Sequence, residues 1–409
     1  MNKAIIISVL VVFFWLPYFT RSETAPISVD KLYYGQRKFC VGLLRAFQKV
    51  QPNETLFFSP HSIFRALLLK YLIAEGDVEK LLKKTLQLDW AKSKADVSHA
   101  YKLEKLARAN CRENQTVEFN SVDKLYFSNQ VKLNDTLKEM LIDSIEVLNF
   151  ESKPEEARCH INKFVEETTK GIIKDLLPPE YITHDTISVL VNAAFFKGDW
   201  ASPFKKEATK KNFFYKNIHT PVYVEMMEQI GFFNYGVIHE LNTQFVEIPY
   251  SGENNSVSMY FFLPNAIDEF LENVTSEMLD QVFVDGESQH NTRWVYIELP
   301  KIALKQKIKL MPVFTHIGLE VLIGKSDAIH QANIDIDEGG TVAAAASSIY
   351  GLKVMRIENF FICNRPFMFL IHDKKSKEVL FAGVYRGPIN NINSNVCQSH
   401  AEYTFNFSF

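Results

Sequence analysis

The chain has 409 residues, 47% of them hydrophobic and 23% charged, with a formal net charge of -3 and a pI near 6.4. So much apolar material allows a sizeable core and excludes a disordered or fibrous protein. The charge balance leaves no overall basic field to draw the molecule to nucleic acid or to an acidic membrane.

The first residues read as a secretory signal: Lys3 gives the positive start, residues 4–16 the apolar run, and Thr20 and Ser22 the small residues of a cleavage site. Residues 1–22 are expected to be removed and the chain to be secreted into the extracellular space. A membrane anchor fits less well, because Pro17 breaks the run short of the ~20 residues a spanning helix needs. Residues 32–49 then carry apolar side chains at helical spacing. Residues 60–74 predict a strongly apolar helix, with Ser59 as its N-cap and Pro60 in its first position. The pattern predicts a polar helix over 96–109 and amphipathic helices over 134–145 and 154–177. The apolar, β-branched run 186–196 has the length of a buried central strand. After Thr220 strands are predicted at 221–226, 231–237, 243–248, 256–263 and 293–299, with helices near 266–273 and 310–322. Helices first and strands later point to an α+β fold. No linker divides the chain, so residues 23–389 are expected to form one domain, followed by a tail at 390–409 that is polar and Asn/Ser-rich at its start.

Asn-x-Ser/Thr sequons stand at Asn53, Asn114, Asn134, Asn254, Asn273 and Asn406, each a glycosylation site if the chain is secreted. The cysteines Cys40, Cys111, Cys159, Cys363 and Cys397 are odd in number and too scattered for a disulfide framework. With no Cys-x-x-Cys pair and no His-Glu-x-x-His, no metal site and no cofactor is expected. The chain also lacks a Gly-x-Ser-x-Gly elbow, a phosphate-binding glycine loop and a dinucleotide fingerprint, which argues against an enzyme.

The stretch 337–360 is unusual. From Gly339 to Leu352 it holds no charge and no proline, and its centre runs Gly339, Gly340, Thr341, Val342, Ala343, Ala344, Ala345, Ala346. As a strand it would present small or apolar groups on both faces and could slot between two others, whereas a charge would need desolvation and a proline would remove a ladder hydrogen bond. Composition alone favours a plainer reading, a turn of helix or a linker, since alanine prefers helix.

The surrounding motifs decide between them. Residues 53–69 (NETLFFSPHSIFRALLL), 162–177 (NKFVEETTKGIIKDLL), 192–204 (NAAFFKGDWASPF) and 364–369 (NRPFMF) resemble in order the signature runs of the serpin family. Shorter matches at 224–227, 246–250, 263–264, 298–301 and 381–383 lie between or beyond them. The resemblance covers residues 31–388. It implies the serpin fold, helices packed on three β-sheets with an exposed reactive loop near the C-terminus. It also implies a serine protease inhibitor whose loop, once cut, inserts as a strand of the large sheet while the protease stays bound as a covalent acyl complex.

By the same resemblance, 339–346 is the loop hinge. Ser59, Ser62, Asn192 and His330 form the polar shutter beneath the sheet, and Trp200 marks where the loop first enters it. An ordinary core or surface histidine is the plain alternative for His330, and an ordinary core tryptophan for Trp200. Counting from the hinge puts the scissile bond after Val354, and counting back from Asn364 puts it after Met355, so the window is Lys353, Val354, Met355 and Arg356. Lys353 and Arg356 suit a trypsin-like protease, while Leu352, Val354 and Met355 suit an apolar pocket. A non-inhibitory serpin that binds a ligand, a chaperone client or a storage partner is the alternative. The hinge, free of bulky, charged or proline residues, speaks against it.

Two departures stand out. The connection at 324–329 is shorter than the family normally carries, which threatens the strand beside the insertion slot. Val342 replaces the acidic residue usual after the hinge threonine. Lys102, Lys105, Arg108 and Arg112 share much of one helix face, near where some relatives bind heparin. With Glu104 and Glu113 among them a solvated face is expected rather than a polyanion site. A monomer is expected.

Overall fold

The structure is a computed structural model that describes residues 27–111, 117–133, 141–217, 219–252, 256–287, 291–319, 326–340 and 357–388. The expected signal, the tail, and residues 341–356 of the loop lie outside these.

The first third is helical: α1 (Ile27–Val50), α2 (Pro60–Ile73), α3 (Gly76–Thr85) and α4 (Lys94–Cys111), with the short strand β1 (Leu56–Phe58) between the first two. Ser59 caps α2 as its sequence requires, with an extended backbone and a side chain that accepts the Ser62 N–H. Nearly every residue of α2 is buried, which is why its sequence is apolar all round rather than on one stripe. β2 (Glu118–Ser128) and β3 (Ile145–Leu148) follow, then α5 (Pro154–Thr168) and β4 (Ser188–Lys197).

Two helix predictions differ from the structure. Ile145 begins a strand, and residues 134–140 are outside the described set. α5 stops at Thr168 because Lys170 and Gly171 take positive φ angles of 52° and 76°, and Thr169 Oγ1 takes over the terminal bonds, donating to Val165 O and accepting from Ile173 N–H.

β5 (Lys210–Tyr215) pairs with β6 (Pro221–Ile238), a single strand where the apolar pattern predicts two. The carboxylate that interrupts the pattern is satisfied across the sheet. Glu228 accepts from Lys210 Nζ at 3.0 Å and from Tyr296 Oη at 2.9 Å. The rest of the chain supplies β7 (Thr243–Pro249), β8 (Val257–Pro264), α6 (Ile267–Asn273), α7 (Ser276–Glu287), β9 (Thr292–Pro300), β10 (Ile302–Lys309), α8 (Met311–His316), β11 (Ser326–Ile336), β12 (Asn359–Ile362), β13 (Phe367–Asp373) and β14 (Glu378–Tyr385).

Among the described residues these strands form two hydrogen-bonded networks. The larger runs β1-β14-β13-β8-β7-β6-β9-β12, with β5 on β6. Because β6 pairs with β5 over its first residues, with β9 through its middle and with β7 at its end, two of the three expected sheets are one continuous ladder. The other network is the five-stranded β10-β11-β4-β2-β3. α2 lies against both sheets, through β2 and β4 on one side and β14 on the other.

Candidate functional site

β4 and β11 are parallel neighbours, in register from Ser188 opposite Ser326 to Phe195 opposite Asn333. β11 is also paired antiparallel with β10 from Ile336 opposite Ile302 to Ile329 opposite Lys309. Its first residue, Ser326, is level with the first residue of β4, so four of the six residues at 324–329 belong to this strand rather than to a connection before it. Parallel strands cannot be joined by a hairpin, and the seam between this pair brings together two strands far apart in the chain.

At the top of the seam the chain turns out of the sheet. Trp200 N–H donates to Gly339 O at 2.8 Å, Phe204 N–H donates to Glu338 O at 2.8 Å, and Trp200 Nε1 donates to Asp337 O at 3.0 Å. The indole is buried and stacks on Tyr250, with ring centroids 4.4 Å apart. Gly340 has φ 132°, and a Cβ there would lie 2.4 Å from Gly198 O and 2.6 Å from Trp200 N, so only glycine fits this crossing. Glu338 accepts from Thr209 Oγ1 at 2.6 Å and pairs with Lys301 Nζ at 2.8 Å. Burial works to raise its carboxyl, but Lys301 and Thr209 outweigh that and hold it below the ordinary carboxylate range.

Beneath the middle of the seam lies a buried polar cluster. His330 and Asn192 stand opposite each other on β11 and β4, and His330 Nδ1 meets Asn192 Oδ1 across the seam. His330 Nε2 accepts the Ser59 N–H at 3.0 Å, so the proton sits on Nδ1 and the ring is neutral. Burial pushes this histidine down to about 3. Ser59 Oγ donates to Leu380 O at 2.7 Å, and Asn192 Nδ2 donates to Ser62 Oγ at 2.6 Å.

The structure thus brings together all four predicted shutter residues and adds one that the sequence analysis missed. Asp123, on β2, accepts from Asn192 Nδ2 at 2.8 Å and from Ser62 Oγ. Its side chain is only 7% exposed, on a strand that no sequence pattern announced. Burial holds it above the ordinary carboxylate range against the pull of Arg65.

The serpin family model, described as serine protease inhibitor, matches residues 34–388. The chain is 35% identical to Serine protease inhibitor 88Ea of Drosophila melanogaster over 387 residues, covering 87% of this chain and 91% of that protein. It is 30% identical to the leukocyte elastase inhibitor of Xenopus laevis, covering 86% of this chain and 97% of that one. The chain is a serpin. Its fold matches the crystal structure of maspin with a TM-score of 0.78 at 21% identity, over 88% of this chain and all of that one. Human kallistatin matches with a TM-score of 0.77 at 24% identity, over 89% and 99%. Members of this family are protease inhibitors, not enzymes.

In this serpin the sequence-predicted hinge is described only at Gly339 and Gly340. Residues Thr341, Val342, Ala343, Ala344, Ala345 and Ala346 and the window Lys353, Val354, Met355 and Arg356 lie outside the described residues. The chain is described again from Ile357, and β12 joins β9 in parallel. Of the sequons, Asn53 and Asn273 are exposed, and Asn114, Asn134, Asn254 and Asn406 are outside the described set. Cys40 and Cys363 are buried free thiols and Cys159 is exposed.

The described part of α4 does not gather its cations on one face. Lys102 and Lys105 are exposed, but Arg108 turns inward and pairs with Glu104 and Glu378, while Arg112 is outside the described residues. Glu104 is itself buried and dilutes no surface patch. Both arginine and glutamate pair in the interior, where a lone charge would be costly.

Proposed function

We propose that this serpin is a secreted suicide inhibitor of a trypsin-like serine protease, cut after Lys353 or Arg356. The protease's serine Oγ attacks the carbonyl carbon of the scissile bond, an ester forms, and the new amino terminus leaves. Water would then hydrolyse the ester. Inhibition requires that the freed strand insert between β4 and β11 first, carrying the tethered protease away and distorting its site.

One observation carries the reading. The uncharged, proline-free segment that begins at Gly340 starts at the top of a closed seam between two parallel strands, beside Trp200. Inserted there, its small side chains would need no charge desolvation, and its backbone would pair on both sides. The cations at Lys353 and Arg356 support a protease with an acidic specificity pocket. Exposed sequon asparagines at 53 and 273 are compatible with passage through the secretory pathway.

The test is incubation with trypsin-like and elastase-like proteases, followed by denaturing electrophoresis and mass spectrometry. A complex that survives denaturation, with a fragment beginning at Val354 or Ile357, is expected. Cleavage only after Val354 or Met355 would rule out the trypsin-like target, and complete turnover by every protease would rule out inhibition.

A further inference from the structure

The buried cluster under the seam extends beyond the shutter as a chain of alternating charges. Asp123 Oδ2 lies 3.3 Å from Arg65 Nε on α2. Arg65 pairs through Nη1 with Glu104 on α4, Glu104 with Arg108, and Arg108 with Glu378 at the start of β14. Glu378 lies 3.1 Å from His61 Nδ1, back on α2. These side chains are between 1% and 20% exposed, so the chain of charges is an interior structure rather than a surface network.

Its placement matters for opening the seam. Admitting one strand means that β4 and β11 separate by about one further inter-strand spacing, ~4.8 Å. α2 is fastened to both sides, to β11 through the Ser59–His330 bond and to β2 and β4 through Ser62, Asp123 and Asn192. One side must let go. α2 cannot simply follow β2, because Arg65 is held to α4 by Glu104 and His61 is held to β14 by Glu378. Movement of β2 therefore pulls the Asp123 carboxylate away from the Arg65 guanidinium in a site shielded from water. Separating one partner of a buried ion pair is costly, and hydrogen bonds between charged partners are the strong ones.

We propose that Arg65 and Asp123 form an ionic latch that sets how fast the seam between β4 and β11 opens to a loop strand, with Glu104 as the strut that holds Arg65. The proposal rests on the insertion reading above. Both are positioning residues, since neither touches the protease or the scissile bond. Loss of a pair that merely stabilised the fold would weaken unfolding resistance and leave the rate of strand uptake untouched.

The full-length, uncleaved protein is mixed with a synthetic peptide of residues 341–352, and uptake is followed by native electrophoresis. D123N and R65M are each expected to take up the peptide about tenfold faster than wild type, and the double variant no faster than the quicker single one, the signature of a shared interaction. E104Q leaves the shutter carboxylate in place and is expected to accelerate uptake about threefold, which keeps the test open if D123N does not fold. D268N, which breaks the remote pair with Arg386, serves as control and is expected to match wild type. Unchanged rates in D123N, R65M and E104Q overturn the latch, and so do single effects that multiply fully in the double variant. A wild type that neither takes up peptide nor gains heat resistance on loop cleavage overturns the insertion reading, and the latch with it.

Discussion

His330 is neutral because both of its ring nitrogens are committed, Nε2 as acceptor from Ser59 N–H and Nδ1–H as donor to Asn192. A proton added to Nε2 would face another donor and break the bond that ties α2 to β11. With burial holding it at about 3, the folded histidine stays unprotonated where the unfolded chain's histidine, with an ordinary value of ~6.5, takes up a proton. Between those values the unfolded state binds more protons. The contribution of His330 is therefore complete above pH 6.5 and is lost as pH falls toward 3, with a slope of about 1.4 kcal/mol per pH unit. H330Q is expected to show a shallower fall in urea resistance between pH 6.5 and 5 than wild type. That window avoids Glu378: burial alone would raise it, but Arg108, then His61 and Arg65, hold it down to about 2, so its contribution fades only at more acid pH. Identical pH slopes in wild type and H330Q would refute the assignment.

Elements differ in how far the sequence announces them. The cap, the first-position proline and the apolar run make α2 legible from a dozen neighbouring residues, and the run of β4 is as plain. The pattern of the long β6 suggests two strands because Glu228 and Gln229 interrupt it, and the partners of Glu228, Lys210 and Tyr296, lie on other strands. The seam itself was invisible to local pattern, since it joins β4 to a strand about 140 residues later. The four shutter residues came from family resemblance. Asp123 escaped it, and its partners Ser62 and Asn192 are 61 and 69 residues away. The inward turn of Arg108 was hidden for the same reason, because its partner Glu378 lies 270 residues on. On the proposed function, the hinge is the element on which inhibition turns. A345R would place a guanidinium where the inserted strand must be buried between β4 and β11, and desolvating it unpaired is unfavourable. The variant is expected to be cleaved at the same bond at an undiminished rate and to release active protease. A complex formed as efficiently as by wild type would show that residue 345 does not enter the sheet.

For the molecule as a whole, the described strands β10-β11-β4-β2-β3 form a five-stranded sheet, and the proposed function makes that state a kinetic trap rather than the most stable fold. Uncut, the loop is anchored at both ends, at Gly340 on the strand top and at β12 on β9. Cutting frees one anchor. An inserted strand of about twelve residues pairs its backbone with β4 on one side and β11 on the other, and at ~0.5–1.5 kcal/mol net per hydrogen bond the gain is on the order of 10 kcal/mol. Even at the ~2 °C per kcal/mol of larger domains that is a rise in midpoint of about 20 °C or more. Heating uncut and loop-cut protein side by side is expected to show this difference, with the uncut midpoint rising with scan rate as a trapped state requires. The six-stranded product has no seam left to open, so the cut protein is also expected to refuse the 341–352 peptide that the uncut protein accepts. Equal midpoints before and after cutting would mean that the strand stays outside, and would return the segment after Gly340 to the plain linker that its alanines suggest.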